Sequence, residues 1–370
     1  MLDPTPRLGA CVNLVNDRIV KTKPRGGDMV DILYVALNLA GGAYLFVLAS
    51  GALKKPRVPP ETPPADNYLV VVVAVGTEKV LPALRETVAQ LQRLGLKYVV
   101  VSSRPLDMPN VLVVPRDQDG TKYRAVRWFV LNHTRPDTWY IFLDDDSYPL
   151  DAKFLQDIAY YGARGYVAGN GVIVPRPGRS ALAYALDWIR HFDDVTRFRF
   201  ALEVLRRPIF GMHGELLIIR GDALREIWPT MGDTVTEDFR LAMELLRRGY
   251  KTFQSRTRVS TKSPNSLRDF VRQRARWTNA LRDAARYRNP IPPLSAALAT
   301  FLAAASLIAA FHGPSLAIAV AAVYTSVYTY GSLKARRYVI DVLLASPLEI
   351  LSMLIGLAQR AKHFYVVDKT

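Results

Sequence analysis

Apolar residues along this chain follow two patterns. No Asp, Glu, Lys or Arg occurs from Ile32 to Leu53, nor from Asn289 to Leu333. About 20 such residues cross the hydrocarbon core of a bilayer. The pattern therefore predicts a transmembrane helix at 29–54, after an N-terminal segment 1–28. It also predicts a transmembrane hairpin at 291–333, with legs 294–312 and 315–333 turning at Gly313-Pro314. Lys334, Arg336 and Arg337 follow it, as on a cytosolic return. The first span starts too far into the chain, and lacks the small-residue cleavage pattern, for a signal peptide. The apolar stretch 338–360 holds Asp341, Pro347 and Glu349. Acids and proline are costly in lipid, so an interfacial or re-entrant helix is expected there before a fourth span.

The second pattern fills 55–265. Val58–Pro64 is a stiff proline-rich linker. Tyr68–Gly76 is apolar without alternation, the mark of a strand buried on both faces. Pro82–Leu94 has helical spacing and stops at Gly95; Lys97–Ser102 reads as a strand, Tyr123–Asn132 as a helix and Trp139–Leu143 as a strand. Alternating strands and helices imply an α/β domain with a mostly parallel sheet and a site at the carboxyl ends of its strands.

The 370 residues carry 49 Lys+Arg against 33 Asp+Glu, a net charge of +16, and half of them are hydrophobic. Disorder is excluded by that apolar content, and a disulfide scaffold by the single cysteine, Cys11. Arginine outnumbers lysine, which suits phosphate-bearing partners because guanidinium binds them in a bidentate way. Nucleic acid, an anionic membrane and a nucleotide-sugar diphosphate all fit at this point.

Three clusters carry candidate chemistry. Asp144-Asp145-Asp146 follows a strand directly. Three adjacent carboxylates repel, and a hard divalent ion bridged to a diphosphate would relieve them; an acidic turn capping the next helix explains them too. Thr236-Glu237-Asp238 opens the helix Phe239–Arg248. Thr236 suits an N-cap and the acids suit the helix dipole, while Asp238 equally suits a general base. Gln273-Arg274-Ala275-Arg276-Trp277 lies in a helix from about Ser266. It sits within Arg256–Arg288, where ten Lys/Arg face only Asp269 and Asp283. That segment reads as a surface helix on anionic headgroups, or as a site where Arg276 meets a diphosphate and Trp277 stacks on a sugar.

An aspartate cluster after a strand, then Thr-Glu-Asp, then Gln-x-x-Arg-Trp, all between membrane segments, resembles glycosyltransferase family 2 in its cellulose synthase-like branch. The resemblance runs from about Tyr68 to Trp277. The stretches Gly120–Ala125, Ile141–Pro149 and Ser263–Trp277 are most similar to egghead-type β-1,4-mannosyltransferases. The tail Phe364–Lys369 (361–370) is similar to the gating-loop motif of β-glycan synthases.

The resemblance implies a GT-A nucleotide-sugar-binding domain, 55–265, then a basic interfacial helix, 266–290. It implies a divalent cation, Mg2+ or Mn2+, held by Asp144 and Asp146. Thr77, Glu78, Lys122, Asp144, Asp145 and Arg276 would bind the donor. Asp238 would be the base of an inverting transfer. Glu237, Gln273, Trp277 and His213 would line the acceptor side, though His213 reads equally as an ordinary loop histidine. Where many relatives have an aspartate pair after the second strand, this chain has Ser102-Ser103-Arg104, so base recognition is assigned to Asp117.

The expected function is transfer of a sugar, mannose from GDP-mannose in β-1,4 linkage, to a polyprenyl- or dolichyl-linked glycan at the membrane face. Three or four spans are too few to enclose a polymer channel in a monomer. Nucleotide sugars are cytosolic, so the catalytic domain is expected there, in a multi-pass protein of the cell membrane or an endomembrane. A processive β-glycan synthase is the alternative within the class. A membrane-tethered nucleic-acid-binding protein is the alternative outside it, disfavoured because the charge gathers beside the membrane helices and no aromatic-rich recognition motif accompanies it, so no nucleic-acid partner is expected.

Overall fold

The computed structural model describes residues 26–295 and 316–358. The segment before α1, all but the first two residues of the first hairpin leg, and the gating-like tail lie outside the described residues. In chain order the elements are α1 (Gly26–Leu53), β1 (Tyr68–Ala74), α2 (Leu81–Arg93), β2 (Tyr98–Ser102), β3 (Val111–Val113), α3 (Lys122–His133), β4 (Trp139–Asp144), β5 (Ser147–Pro149) and α4 (Phe154–Gly162). They continue with β6 (Tyr166–Arg176), α5 (Ala181–Asp193), β7 (Leu217–Arg220), α6 (Gly221–Ile227), α7 (Glu237–Arg247), β8 (Lys251–Lys262), α8 (Leu267–Trp277) and α9 (Asn279–Arg286). The apolar end holds α10 (Leu316–Ala335), α11 (Val339–Ala345) and α12 (Pro347–Ala358).

β1 explains its own sequence. Val70 and Val72 face a core with Leu84 and Leu91 of α2 and Ile141 and Leu143 of β4. Val71 and Val73 face a second core with Val126 and Phe129 of α3 and Phe142 of β4. A strand covered on both sides has no polar face to alternate with. Burying each such side chain contributes roughly 1.5–3 kcal/mol.

The eight strands form one sheet in the order β3-β2-β1-β4-β7-β6-β8-β5. The sheet is mixed, with β1, β2, β3, β4, β6 and β8 running one way, as the mostly parallel expectation had it, and β7 and β5 reversed. β1, β2, β3 and β4 are parallel, but β7 runs antiparallel to both β4 and β6, and β5 antiparallel to β8. β7 inserts between β4 and β6 from a distant part of the chain, a pairing no local pattern encodes.

Helix starts position chemistry. Thr121 caps α3, its hydroxyl accepting from the Arg124 N–H at 3.2 Å, which puts Lys122 at the first helical position. Ser266 caps α8 the same way, accepting from Asp269 N–H. After α5 the helix widens into π-turns over Asp194–Phe198 and Phe200–Val204. Such turns displace side chains from their α-helical directions.

The apolar helices dock on the α/β domain by close backbone approach. A Cβ on Gly331 would lie 2.2 Å from the Ala185 carbonyl oxygen, and one on Gly356 2.2 Å from that of Ala275. Tyr44 of α1 stacks on Tyr324 of α10, and their hydroxyls meet at 2.5 Å. Among the described residues one stretch is long and apolar enough to cross a membrane, Val339–Ala358, and α1 contains a shorter apolar part, Asn38–Leu53. Val339–Ala358 is two helices, broken at Ser346 before Pro347, where proline cannot continue the incoming helix.

Candidate active site

Four chain segments converge at the carboxyl end of β4. Asp144, its last residue, accepts from the Lys122 ammonium at 2.5 Å, and the same ammonium lies 2.9 Å from Glu237 at the start of α7. A Cβ on Gly214 would be 3.0 Å from Lys122 Nζ, 3.6 Å from Asp144 Oδ1 and 3.7 Å from Asp238 Oδ2. The missing side chain of Gly214 therefore leaves room between one cation and two acids.

Burial works against the Lys122 ammonium, but Asp144, then Glu237 and Asp238, hold its pKa well above the usual lysine value. Burial also pushes the Asp238 carboxyl up to about 7, helped by the Glu237 charge and opposed by Lys122 and the Phe239 N–H. From sequence alone, the helix dipole would keep Asp238 strongly ionised. Desolvation outweighs the dipole here.

Thr236 stands at the N-cap position without capping. Its hydroxyl donates instead to Asp283 of α9 at 2.7 Å, and Asp283 also receives Arg240 at 2.9 Å. Arg276 donates to the carbonyl of Val235 at 3.1 Å. α8 and α9 thus hold the loop that presents Glu237 and Asp238.

Asp145 and Asp146 form the turn between β4 and β5. Asp146 is buried and accepts from the Ser147 hydroxyl at 3.0 Å, while the Asp145 carbonyl accepts from Thr87. No group of three or more His, Cys, Asp or Glu is arranged to hold a metal among the described residues. Asp144 and Asp146 are hard oxygen donors two positions apart. Such a pair could hold a divalent ion only together with further oxygen ligands, such as those of a diphosphate.

β1 pairs with β4 at Val73 and Asp144, so Thr77 and Glu78, just past β1, lie at the same end of the sheet. Asp117 is exposed and accepts from its neighbour Gln118. The acid that reaches the end of β2 is Asp119, which accepts from Ser103 at 2.8 Å.

On the other flank the Trp277 indole lies between two guanidinium groups, Arg274 at 4.3 Å and Arg190 at 4.9 Å from the ring centre. Arg274 pairs with buried Asp187 at 2.8 Å, and Arg190 with Glu215. Glu215 also meets His213, whose other ring nitrogen is 3.2 Å from Asp194 in the first π-turn. Burial lowers the pKa of His213, but Asp194 and Glu215 outweigh it and drive it up to about 10. His213 is therefore a buried imidazolium rather than an ordinary loop histidine. Gln273 is buried beside this network. Much of the Arg256–Arg288 charge is also spent inside the domain. Arg256 binds Asp157 at 2.6 Å and Arg274 binds Asp187, so less of it faces lipid than the charge count alone suggests.

Sequence reasoning missed Asp187, Arg190, Asp194, Asp283 and Gly214. Each works through a partner distant in sequence. The only local signal was the Gly211–Glu215 run that carries His213.

Residues 139–348 match the family model described as Glycosyl transferase family group 2. The chain is 26% identical over 202 residues to the β-1,4-mannosyltransferase bre-3 of Caenorhabditis briggsae, covering 50% of this chain and 44% of that protein. It is 23% identical over 323 residues to bre-3 of Caenorhabditis elegans, covering 74% and 70%. The chain thus spans less than half of the first relative's length. It shares its fold with a mannosyltransferase of Pyrobaculum calidifontis solved with GDP-Man and Mn2+. The TM-score is 0.56 at 17% identity, over 88% of this chain and 97% of the other.

Proposed function

From the premise that this chain belongs to glycosyl transferase family group 2, we propose that it transfers one mannosyl residue from GDP-mannose, with inversion and in β-1,4 linkage, to a lipid-linked glycan. The observation that carries the reading is Asp238, buried, with its pKa pushed up to about 7, facing the same gap as Asp144 and Lys122. A base of that pKa is about half ionised at neutral pH and well matched to taking a proton from a sugar hydroxyl. The names of the two worm relatives favour mannose and the β-1,4 linkage.

Inversion needs one base and no covalent intermediate. Asp238 takes the proton of the attacking hydroxyl. Lys122 places positive charge beside the acids where the donor diphosphate would lie. A divalent cation bound by Asp144 and Asp146 would stabilise the charge that builds on the leaving diphosphate. Trp277, Gln273 and Glu237 are assigned to the acceptor side, with the Trp277 ring held in place by Arg274 and Arg190. Arg276 orients the 235–238 loop; Thr77 and Glu78 stand on the nucleotide side, as does Asp119 in place of Asp117. The apolar helices keep the domain at a membrane face, where a polyprenyl-linked acceptor would be held, with the catalytic domain on the cytosolic side.

The test is a donor screen with a lipid-linked disaccharide, read by mass. The expected product is larger by one hexose, from GDP-mannose alone. Transfer only from a uridine nucleotide would overturn the donor, long polymer would overturn single transfer, and no transfer from any donor would overturn the enzymatic reading.

A further inference from the structure

A cationic cavity lies at the far end of the sheet. Its volume is about 400 Å³, and Lys54, Lys55 and Arg57 line it together with Arg164, Arg206 and Lys251. Tyr166 and Lys251, also on its wall, are the first residues of β6 and β8. Those strands run parallel to β4, whose last residue is Asp144. The cavity therefore opens at the amino ends of the strands, and the catalytic acids stand at the carboxyl ends.

Six basic side chains are arranged around one acid, Glu203. That acid is committed elsewhere: it accepts from the Tyr161 hydroxyl at 3.0 Å and from the Gln254 N–H at 2.7 Å. Arg164 stacks on Tyr160, 3.6 Å from its ring centre, which fixes that guanidinium at the rim. So many like charges around one concavity repel unless an anion shares them. A phosphate group, with several acceptor oxygens and up to two charges, matches that demand.

The neighbouring surface says which phosphate. Lys54 and Lys55 follow the last turn of apolar α1, whose Leu53 is exposed, and Val204 and Leu205 are exposed immediately before Arg206. Exposed leucine and valine beside a basic pocket at the end of an apolar helix form a surface for the boundary between acyl chains and headgroups. We infer that this cavity binds the phosphate of an anionic lipid headgroup, separately from the donor site, and so seats the domain on the membrane. The inference rests on the membrane placement of α1 in the function proposed above.

The test uses the full chain in neutral detergent. It is titrated with dihexanoyl phosphatidate, dihexanoyl phosphatidylcholine and inorganic phosphate, and GDP-mannose binding is measured in parallel. Saturable binding of the phosphatidate is expected, with at least tenfold weaker binding of the other two. In Arg206→Asn/Lys251→Gln the phosphatidate affinity should fall at least tenfold, with melting temperature and GDP-mannose binding unchanged. Equal affinity in that variant, or no phosphatidate binding by the wild type, would overturn the site. Inorganic phosphate binding as tightly as the phosphatidate would overturn the lipid assignment. Loss of GDP-mannose binding alone, with phosphatidate binding intact, would count against the catalytic reading and support this one.

Discussion

The Thr236 hydroxyl donates to Asp283 at 2.7 Å, tying the loop that carries Glu237 and Asp238 to a helix nearly fifty residues further along the chain. The same carboxylate receives Arg240 through Nε at 3.0 Å and Nη2 at 2.9 Å. Thr236→Val keeps the shape and removes the donor. A fall of about tenfold in kcat is expected, with a small change in melting temperature, since one net hydrogen bond contributes about 1 kcal/mol. Asp283→Ala leaves the partly buried Arg240 without its acid, though still bound to the carbonyls of Met231, Gly232 and Asp233, and should destabilise by roughly 1–3 kcal/mol. Unchanged kcat in Thr236→Val would show that the loop needs no such tie.

The pH dependence of turnover should report Asp238. The working base is the carboxylate, and its pKa is pushed up to about 7. kcat should therefore rise with pH through about 7 and level off above it. Asp238→Asn should abolish transfer at every pH. A profile flat from pH 5 to 8 would remove Asp238 from the proton-transfer step.

His213 gives a stability prediction of defined sign. Its pKa rises from 6.5 to about 10 in the folded chain, so the folded state binds the proton more tightly than the unfolded one. The stabilisation is complete below pH 6.5 and is lost as pH rises through about 10. The difference in melting temperature between wild type and His213→Gln should shrink steadily across that window. A difference that stays constant would mean the ring is neutral between Asp194 and Glu215.

Gly214 separates activity from stability. In Gly214→Ala the new methyl would sit 3.0 Å from Lys122 Nζ and fill the gap before Asp144 and Asp238. The lysine end can shift by a few tenths of an ångström, so folding should survive, with melting temperature within about 2 °C of wild type. Donor binding should weaken at least tenfold, measured by nucleotide-sugar titration. Wild-type affinity in this variant would place the donor elsewhere.

The docking of α12 rests on Gly356. Any Cβ there meets the Ala275 carbonyl, and backbone cannot step aside as a flexible side chain can. Gly356→Val should lower the melting temperature by several degrees and weaken transfer through displacement of α8, which carries Gln273 and Trp277. Circular dichroism melts beside a transfer assay would check both, and an unchanged melt would mean α12 is not anchored there.

Some of this protein was decided by the sequence alone. The unalternating valines of β1, the acids that follow β4 and the charge-free runs are local features, written in residues a few positions apart. Periodicity acts over that range, so the early strands and helices of the α/β domain could be read directly. The three acidic and basic motifs could be read as candidates, but not as one site. Their meeting depends on β7 inserting between β4 and β6 and on α8 and α9 folding back on the 234–238 loop, contacts between residues tens of positions apart. The same holds for electrostatics. A residue at a helix start is expected to be ionised, yet burial beside Glu237 raises Asp238, and enclosure by Asp194 and Glu215 fixes the proton on His213. Desolvation and long-range charge are properties of the packed chain, and only the tertiary structure could assign them.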